Sequence, residues 1–203
     1  MIIVQLRKIK NYYPWIWKFL ERINGSLLRI LSARIIENIN IRIEGFTLSN
    51  GYLFKRLRLK DADGIAKMLS RADLEDVKYF KPFEFNNESI MHAITCGSYI
   101  CFQAVSNDLP AGFFFLRVSY NRKAFLGFYV DKLHRGVGLG KSMITALVNA
   151  CVENGFELYS SVSEHNQASM KAHEGNGFYR INRMQNDYWL LGIEKNSRRD
   201  RVT

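Results

Sequence analysis

The stretch HRGVGLGKS, residues 134–142, decides how this chain is read. It follows an apolar run, AFLGFYV (124–130), and opens a helical pattern over 138–153 that places Met143, Ile144, Leu147 and Val148 on one face. Its ending, Gly140-Lys141-Ser142, suggests a phosphate-binding P-loop. That motif needs a glycine five residues before Gly140, where Arg135 stands, and Gly136 leaves the loop one residue short. A dinucleotide fingerprint fails too, because Gly138 and Gly140 would require glycine or alanine at Met143. What remains is Arg135-x-x-Gly138-x-Gly140 between a strand and a helix. Its physics is still that of an anion site. Glycines let the backbone approach closely, and a helix start offers unpaired N–H groups and partial positive charge. Arg135, Lys141 and Ser142 add further donors.

The neighbouring elements give this loop its setting. SYICFQAV (98–105), AGFFFLRVS (111–119) and AFLGFYV are joined by the short turns NDLP and YNRK, which predicts an antiparallel meander rather than a parallel βαβ unit. After Gly155 stops the helix, FELYSSVS is a strand, NQASMKAHEG a helix, and FYRINRM with YWLLGI a hairpin turned at Gln185-Asn186-Asp187. Upstream, Asp61 is positioned to cap a helix running to Ser70, with Ile65, Met68 and Leu69 inward. The segment LEDVKYFKPFEFNNESI (74–90) is rich in aromatics and predicts a wall, either of core or of a ligand site.

The N-terminal part reads differently. Residues 15–33 repeat at helical spacing, with Ile16, Phe19, Leu20, Ile23, Leu27, Ile30 and Leu31 on one face and Lys18, Arg22 and Arg29 opposite. Pro14 suits the helix start, and Gly25 falls on the polar side. Two readings stay open for the apolar face: packing on the protein's own domain or a second subunit, as a homodimer, or peripheral contact with an anionic membrane. In INIRIEGFTL (39–48), Ile39, Ile41 and Ile43 alternate with polar residues, which predicts an added edge strand. Asn50-Gly51 then predicts a type I′ hairpin into YLFKRLRL. The expected organisation is an extension over 1–48, a main domain over 49–194 and a basic tail over 195–203.

Composition bounds the partners. The net charge is +10, with eight Lys/Arg against three acids in residues 1–48 and four against two in the last ten. That balance favours an anionic partner without choosing among phosphates, membrane and nucleic acid. No nucleic-acid reader module is recognisable, so nucleic acid is not expected. Cys96, Cys101 and Cys151 have no metal-ligand spacing, no metal site is expected, and free buried thiols suit a reducing compartment. No apolar run reaches the roughly 18 residues of a membrane span, and no signal-peptide pattern opens the chain. The expected location is the cytoplasm, with peripheral contact at the inner membrane surface through 15–33.

Two segments in order carry a resemblance. FYVDKLHRGVGLGKSMITALV is similar to the acyl-CoA signature Arg/Gln-x-x-Gly-x-Gly/Ala of the GNAT acetyltransferase superfamily. SVSEHNQASMKAHEGNGF resembles its Asn-x-x-Ala/Ser…Gly-Phe segment, here Asn166, Ser169, Gly177 and Phe178. RLRLKDADGIAKML resembles the family's first strand and helix, and the likeness spans roughly residues 52–193. It implies an α+β fold: a mixed, mostly antiparallel sheet, splayed between its fourth and fifth strands and flanked by helices. It also implies acetyl-CoA in that splay. Backbone N–H groups from Arg135 through Gly136, Val137, Gly138, Leu139 and Gly140 to Lys141, with Ser142 beside them, would take the pyrophosphate. Phe128, Tyr129 and Val130 would pair with the pantetheine arm, and Asn166, with Ser169, would hold the same arm.

The chemistry implied is direct attack of an amine on the acetyl thioester. Relatives often place a tyrosine seven residues after the asparagine to protonate the leaving thiolate; here that position is His173, an expected acid. The fourth strand lacks the carboxylate many relatives use as base. The candidate bases are Glu84 and Glu88 in the aromatic segment, with Glu164 and His165 as further candidates. The expected acceptor is a small amine, first a nucleotide-linked or lipid-associated amino sugar. A protein N-terminal acetyltransferase and a non-catalytic acyl-CoA-binding scaffold are the alternatives.

Overall fold

The computed structural model describes residues 14–80 and 82–193, so the C-terminal tail at 195–203 and the first residues of the extension lie outside the described residues. Seven strands form a single sheet: β1 (Leu53–Arg56), β2 (Tyr99–Ser106), β3 (Leu109–Val118), β4 (Lys123–Val130), β5 (Glu157–Ser163), β6 (Tyr179–Arg183) and β7 (Tyr188–Gly192), in the order β1-β2-β3-β4-β5-β7-β6. All neighbours are antiparallel except β4 and β5. The meander predicted over 98–130 is present. The two-residue turn Asn107-Asp108 joins β2 to β3 with φ of 49° and 59°, the type I′ signature.

The single parallel junction positions the site. β4 pairs with β5 only from Lys123 to Phe125, against Glu157 to Tyr159. Beyond Phe125 the two strands part, so Leu126–Val130 loses its neighbour on that side while staying paired to β3.

Helices cover both faces. On one, α1 (Pro14–Ile43), α5 (Leu139–Glu153) and α6 (Gln167–Glu174) enclose a core that includes Leu28, Ile39, Phe54, Phe114, Met143, Leu147 and Met170. On the other, α2 (Ala62–Ser70), α3 (Leu74–Tyr79) and α4 (Asn87–Thr95) surround a smaller core of Ile65, Met68, Ile90, Phe113, Phe115 and Tyr129. Period-two alternation decides which core each strand residue enters: Phe114 and Leu116 face one, Phe113 and Phe115 the other.

Three N-terminal expectations are corrected. The strand expected at 39–48 is the continuation of α1, which runs to Ile43; Ile39 and Ile43 are fully buried, Asn40 is buried and Ile41 is exposed. Ile39 and Ile43 satisfy both a period of two and an i, i+4 spacing, and packing against the sheet selects the helix. Only the isolated bridge Thr47 to Leu53 remains of the edge strand. The turn at Asn50-Gly51 has a single positive φ, 85° at Gly51. With Gly51 N–H donating to Leu48 O and Leu48 N–H to Tyr52 O, it is a three-residue loop ended by a left-handed glycine.

Of the readings left open for the apolar face of α1, packing on the protein's own domain is the one the structure does not show. Glu21, Gly25, Leu28, Ser32, Ile39 and Ile43 lie inward, whereas Phe19, Leu20, Ile23, Leu27, Ile30 and Leu31 are exposed. A clasp holds the inward seam. Asn24 donates to Val118 O (2.8 Å) and Ser98 Oγ (2.9 Å) and accepts from Tyr120 N–H, while Ser98 Oγ donates to Glu21 O. The Glu21 carboxylate accepts from Trp17 Nε1 and lies 3.1 Å from His92 Nε2. Gly25, read from sequence as a polar-side residue, is where α1 crosses the turn before β2: a Cβ there would overlap Cys96 O. Asp61 also departs from expectation, because its carboxylate accepts from Arg58 N–H and makes no cap bond to α2.

Candidate active site

The cavity lies where β4 and β5 part. It has a volume of about 520 Å³, within the usual range for small-molecule sites. Leu126–Val130 form one wall and Ser160, Ser161 and Val162 the other; the start of α5 closes one end, and Glu75, Tyr79 and Phe80 stand at its rim.

The glycine loop is built by its φ values. After a 3₁₀ turn at Lys132–His134, Gly136 and Gly138 take φ of 79° and 80°, a region that side chains with a Cβ avoid. These reversals start α5 at Leu139 with its N-terminus toward the cavity. The first helical bond runs from Ser142 N–H to Gly138 O, and among the described residues the N–H groups of Gly136–Lys141 have no partner. Gly140 packs against β4, where a Cβ would come within 3.0 Å of Phe128 Cε2. The result is a concave row of donors with the positive end of a 15-residue helix behind it.

Of the residues expected to hold a cofactor, Phe128, Tyr129, Val130, Arg135, Gly136, Gly138, Leu139, Gly140, Lys141, Asn166 and Ser169 line the cavity; Val137 and Ser142 do not. Ser142 Oγ turns back to Gly138 O, as a side chain one turn into a helix does. The Arg135 side chain is committed to the strand end: Nε donates to Val130 O, and the guanidinium lies over the Tyr129 ring at 5.7 Å. Asn166 Oδ1 accepts from Ser169 N–H and caps α6, and among the described residues its Nδ2 has no partner.

His173 lines the cavity as expected, but its state revises its role. It is 1% exposed, and burial pushes its pKa down to about 4. The ring is therefore neutral near pH 7. Nδ1 lies 2.7 Å from Ser169 O, a carbonyl that can only accept, so the single proton sits on Nδ1. Nε2, 2.9 Å from Ser160 Oγ, then accepts from that hydroxyl. A protonated Nε2, which thiolate protonation by this ring requires, is absent from this arrangement.

The expected bases lie elsewhere. Glu84 and Glu88 are exposed and do not line the cavity. Glu164 pairs with Arg183 at 3.0 Å, and His165 faces Asp187. Among the described residues, Glu75 is the carboxylate that does line it. The reason is the path of the aromatic segment: α3 brings Glu75, Tyr79 and Phe80 to the opening, with Phe80 stacked on Tyr129 at 6.0 Å. Ser160, Glu75 and Tyr188 were missed from sequence. Tyr188 donates to Lys78 O and ties β7 to α3 beside the opening. Nothing local marks such residues, since each acquires its place from an element far away in the chain.

A mixed sheet parted at one parallel junction, with a glycine-built row of N–H groups beside the gap, is a geometry suited to seating an extended, anion-bearing ligand within the sheet. The sequence profile of the Acetyltransferase (GNAT) family matches residues 67–178, more than half of the chain, and the chain belongs to that family. A search of curated proteins finds no match. Among solved structures, the fold is shared with the ribosomal-protein-S5-alanine acetyltransferase of Vibrio fischeri (TM-score 0.64, 13% identity, 75% of this chain and 97% of that one). It is shared too with a putative acetyltransferase of Salmonella typhimurium solved with its cofactor acetyl-CoA (0.62, 16%, 73% and 96%). The spermidine N-acetyltransferase of Vibrio cholerae, in complex with CoA and spermine, is similar to the same degree (0.61, 16%, 71% and 96%).

Proposed function

We propose that the protein is an acetyl-CoA-dependent N-acetyltransferase acting on the primary amine of a small molecule. The observation that carries this reading is the parting of β4 from β5, which leads directly to the unpaired N–H groups at the start of α5. Acetyl-CoA supplies an activated acetyl thioester when bound. The N–H groups of Gly136–Lys141, with the Lys141 ammonium, hold its pyrophosphate, and the β4 edge beyond Phe125, where the pairing with β5 ends, takes its amide-bearing arm as an added strand would be taken. Asn166 Nδ2 supplies a further donor to that arm.

The chain's own groups then manage protons. An amine must be neutral to attack, and Glu75, a cavity-lining carboxylate whose Oε2 lies 4.0 Å from Lys78 Nζ, would receive its proton, directly or through water. His173 is a positioning residue: its neutral ring fixes the Ser160 hydroxyl in the β5 wall and joins β5 to α6.

The Tyr188–Lys78 bridge supports a small acceptor over an extended peptide, because it ties α3 to the β6–β7 hairpin beside the opening. The net charge of +10 supports an acceptor that carries phosphate, so a nucleotide-linked or lipid-associated amino sugar heads the list of acceptors. Three buried free thiols support a reducing, cytoplasmic setting.

The test is thiol release from acetyl-CoA over a panel of phosphorylated amino sugars, polyamines and peptides. Turnover confined to peptides moves the acceptor to protein N-termini, and acetyl-CoA binding without turnover on any amine supports a non-catalytic scaffold. Gly138→Val, which forces a β-branched residue to φ of 80°, is expected to raise KM for acetyl-CoA tenfold or more.

A further inference from the structure

Helix α1 has two apolar faces, and only one of them is covered. At about 100° per residue, the seam carrying Gly25, Leu28 and Ile39 docks on the sheet, and the opposite side carries the bare face. There Trp15 is 69% exposed, Phe19 59%, Ile30 79% and Leu31 63%, with Ile23 and Leu27 between them. Contiguous apolar surface of this kind on a folded chain marks a contact site.

We infer that this face docks on an anionic lipid bilayer, with residues 15–31 lying in the headgroup plane and the acetyltransferase domain above. Charge selects that occupant. By helical spacing the positions of Lys18, Arg22 and Arg29 fall together between the docked seam and the bare face, and Arg22 is exposed there, as suits a helix lying on an anionic surface. Residues 1–36 hold seven Lys/Arg and one acid, Glu21, and that acid is buried against His92 on the docked side. The next acids along the chain, Glu37 in the helix and Glu44 just after it, are paired with Arg56 and Arg58 of the domain. Trp15 and Phe19 are side chains of the kind that seat at a membrane interface. No helix among the described residues is long and apolar enough to cross a membrane, so the contact is one of lying on the surface.

A second copy fits the charges less well. Two copies of a segment that holds seven Lys/Arg and one acid over residues 1–36, the acid buried on the docked side, would bring like charge toward like charge. Phospholipid headgroups supply the missing anions.

The test is co-sedimentation of the full chain with vesicles of phosphatidylcholine alone and with 30% phosphatidylglycerol, at low and high salt. The expected result is at least tenfold stronger partition to the anionic vesicles, weakened by salt. The triple variant Phe19→Ser, Ile23→Ser, Ile30→Ser is expected to lose that partition tenfold or more while keeping its thermal midpoint and thiol-release rate, since these side chains face away from the domain. Equal binding to neutral vesicles overturns the electrostatic selection. Failure to bind either vesicle overturns the proposal, and a dimer in sedimentation velocity that the triple variant dissociates assigns the face to a second copy.

Discussion

Acid stability tests the protonation state assigned to His173. Its ring is neutral in the fold because burial lowers its pKa to about 4, whereas in the unfolded chain it titrates near the ordinary 6.5. Below pH 6.5 the unfolded chain takes up a proton that the folded one refuses until pH 4. Stability from this group is therefore complete above pH 6.5, declines as pH falls and is fully lost below 4. At about 1.4 kcal/mol per pH unit the loss amounts to about 3 kcal/mol, of which about 2 kcal/mol is gone by pH 5. Carboxylates titrate in the same range, so the informative quantity is a difference. His173→Gln removes the titration and leaves the carboxylates. It also forfeits the ring contacts to Phe128 and Phe178 and the Ser160 hydrogen bond, an offset of roughly 1–3 kcal/mol that does not change with pH. Urea unfolding of both proteins at steps from pH 7.5 to 4.5 measures the difference, and NMR of the imidazole carbons reads the native pKa directly. The variant is expected to start less stable at pH 7 and to converge on the wild type as the pH falls. A constant gap, with a ring that titrates near 6.5 in the native state, would sink both the neutral assignment and the positioning role built on it.

Gly25→Ala should destabilise the fold by about 1–3 kcal/mol in chemical denaturation even though alanine is the better helix former, because its methyl group overlaps Cys96 O. Asn166→Ala should lose about 1 kcal/mol of stability with the α6 cap, and also raise KM for acetyl-CoA; unchanged KM would remove Asn166 from the binding site. Cys101 and Cys151 are buried, and burial pushes both thiols well above their ordinary range, so Ellman's reagent should react with them only after denaturation.

Most of the cofactor-site residues named from sequence line the cavity, because the elements that carry them are local. Gly136 and Gly138 of HRGVGLGKS specify positive φ and a helix start within nine residues, and the backbone geometry of that loop sets out its row of N–H groups. The β2–β3–β4 meander is similarly local: alternating apolar runs and short turns leave little choice of pairing. The partners of His173 are not local in this sense. Ser160 lies on a different element, and the ring's proton was assigned only once Ser169 O and the Ser160 hydroxyl were both in place. Among the carboxylates of 74–90, sequence pointed to Glu84 and Glu88, whereas α3 brings Glu75 to the cavity.

The extension draws the same boundary more sharply. Its sequence determined a helix with a broad apolar face and a basic flank, since both follow from residue spacing alone. It misled on where the helix ends, because Ile39 and Ile43 satisfy a strand period as well as a helical one. Nor did it say which side packs, because a narrow seam of Gly25, Leu28 and Ser32 looks weaker than the seven-residue apolar face opposite. Tertiary structure decided both. A helix that crosses the turn before β2 at van der Waals distance needs glycine at the crossing, and that close approach turns the small-residue seam inward and the large apolar face out.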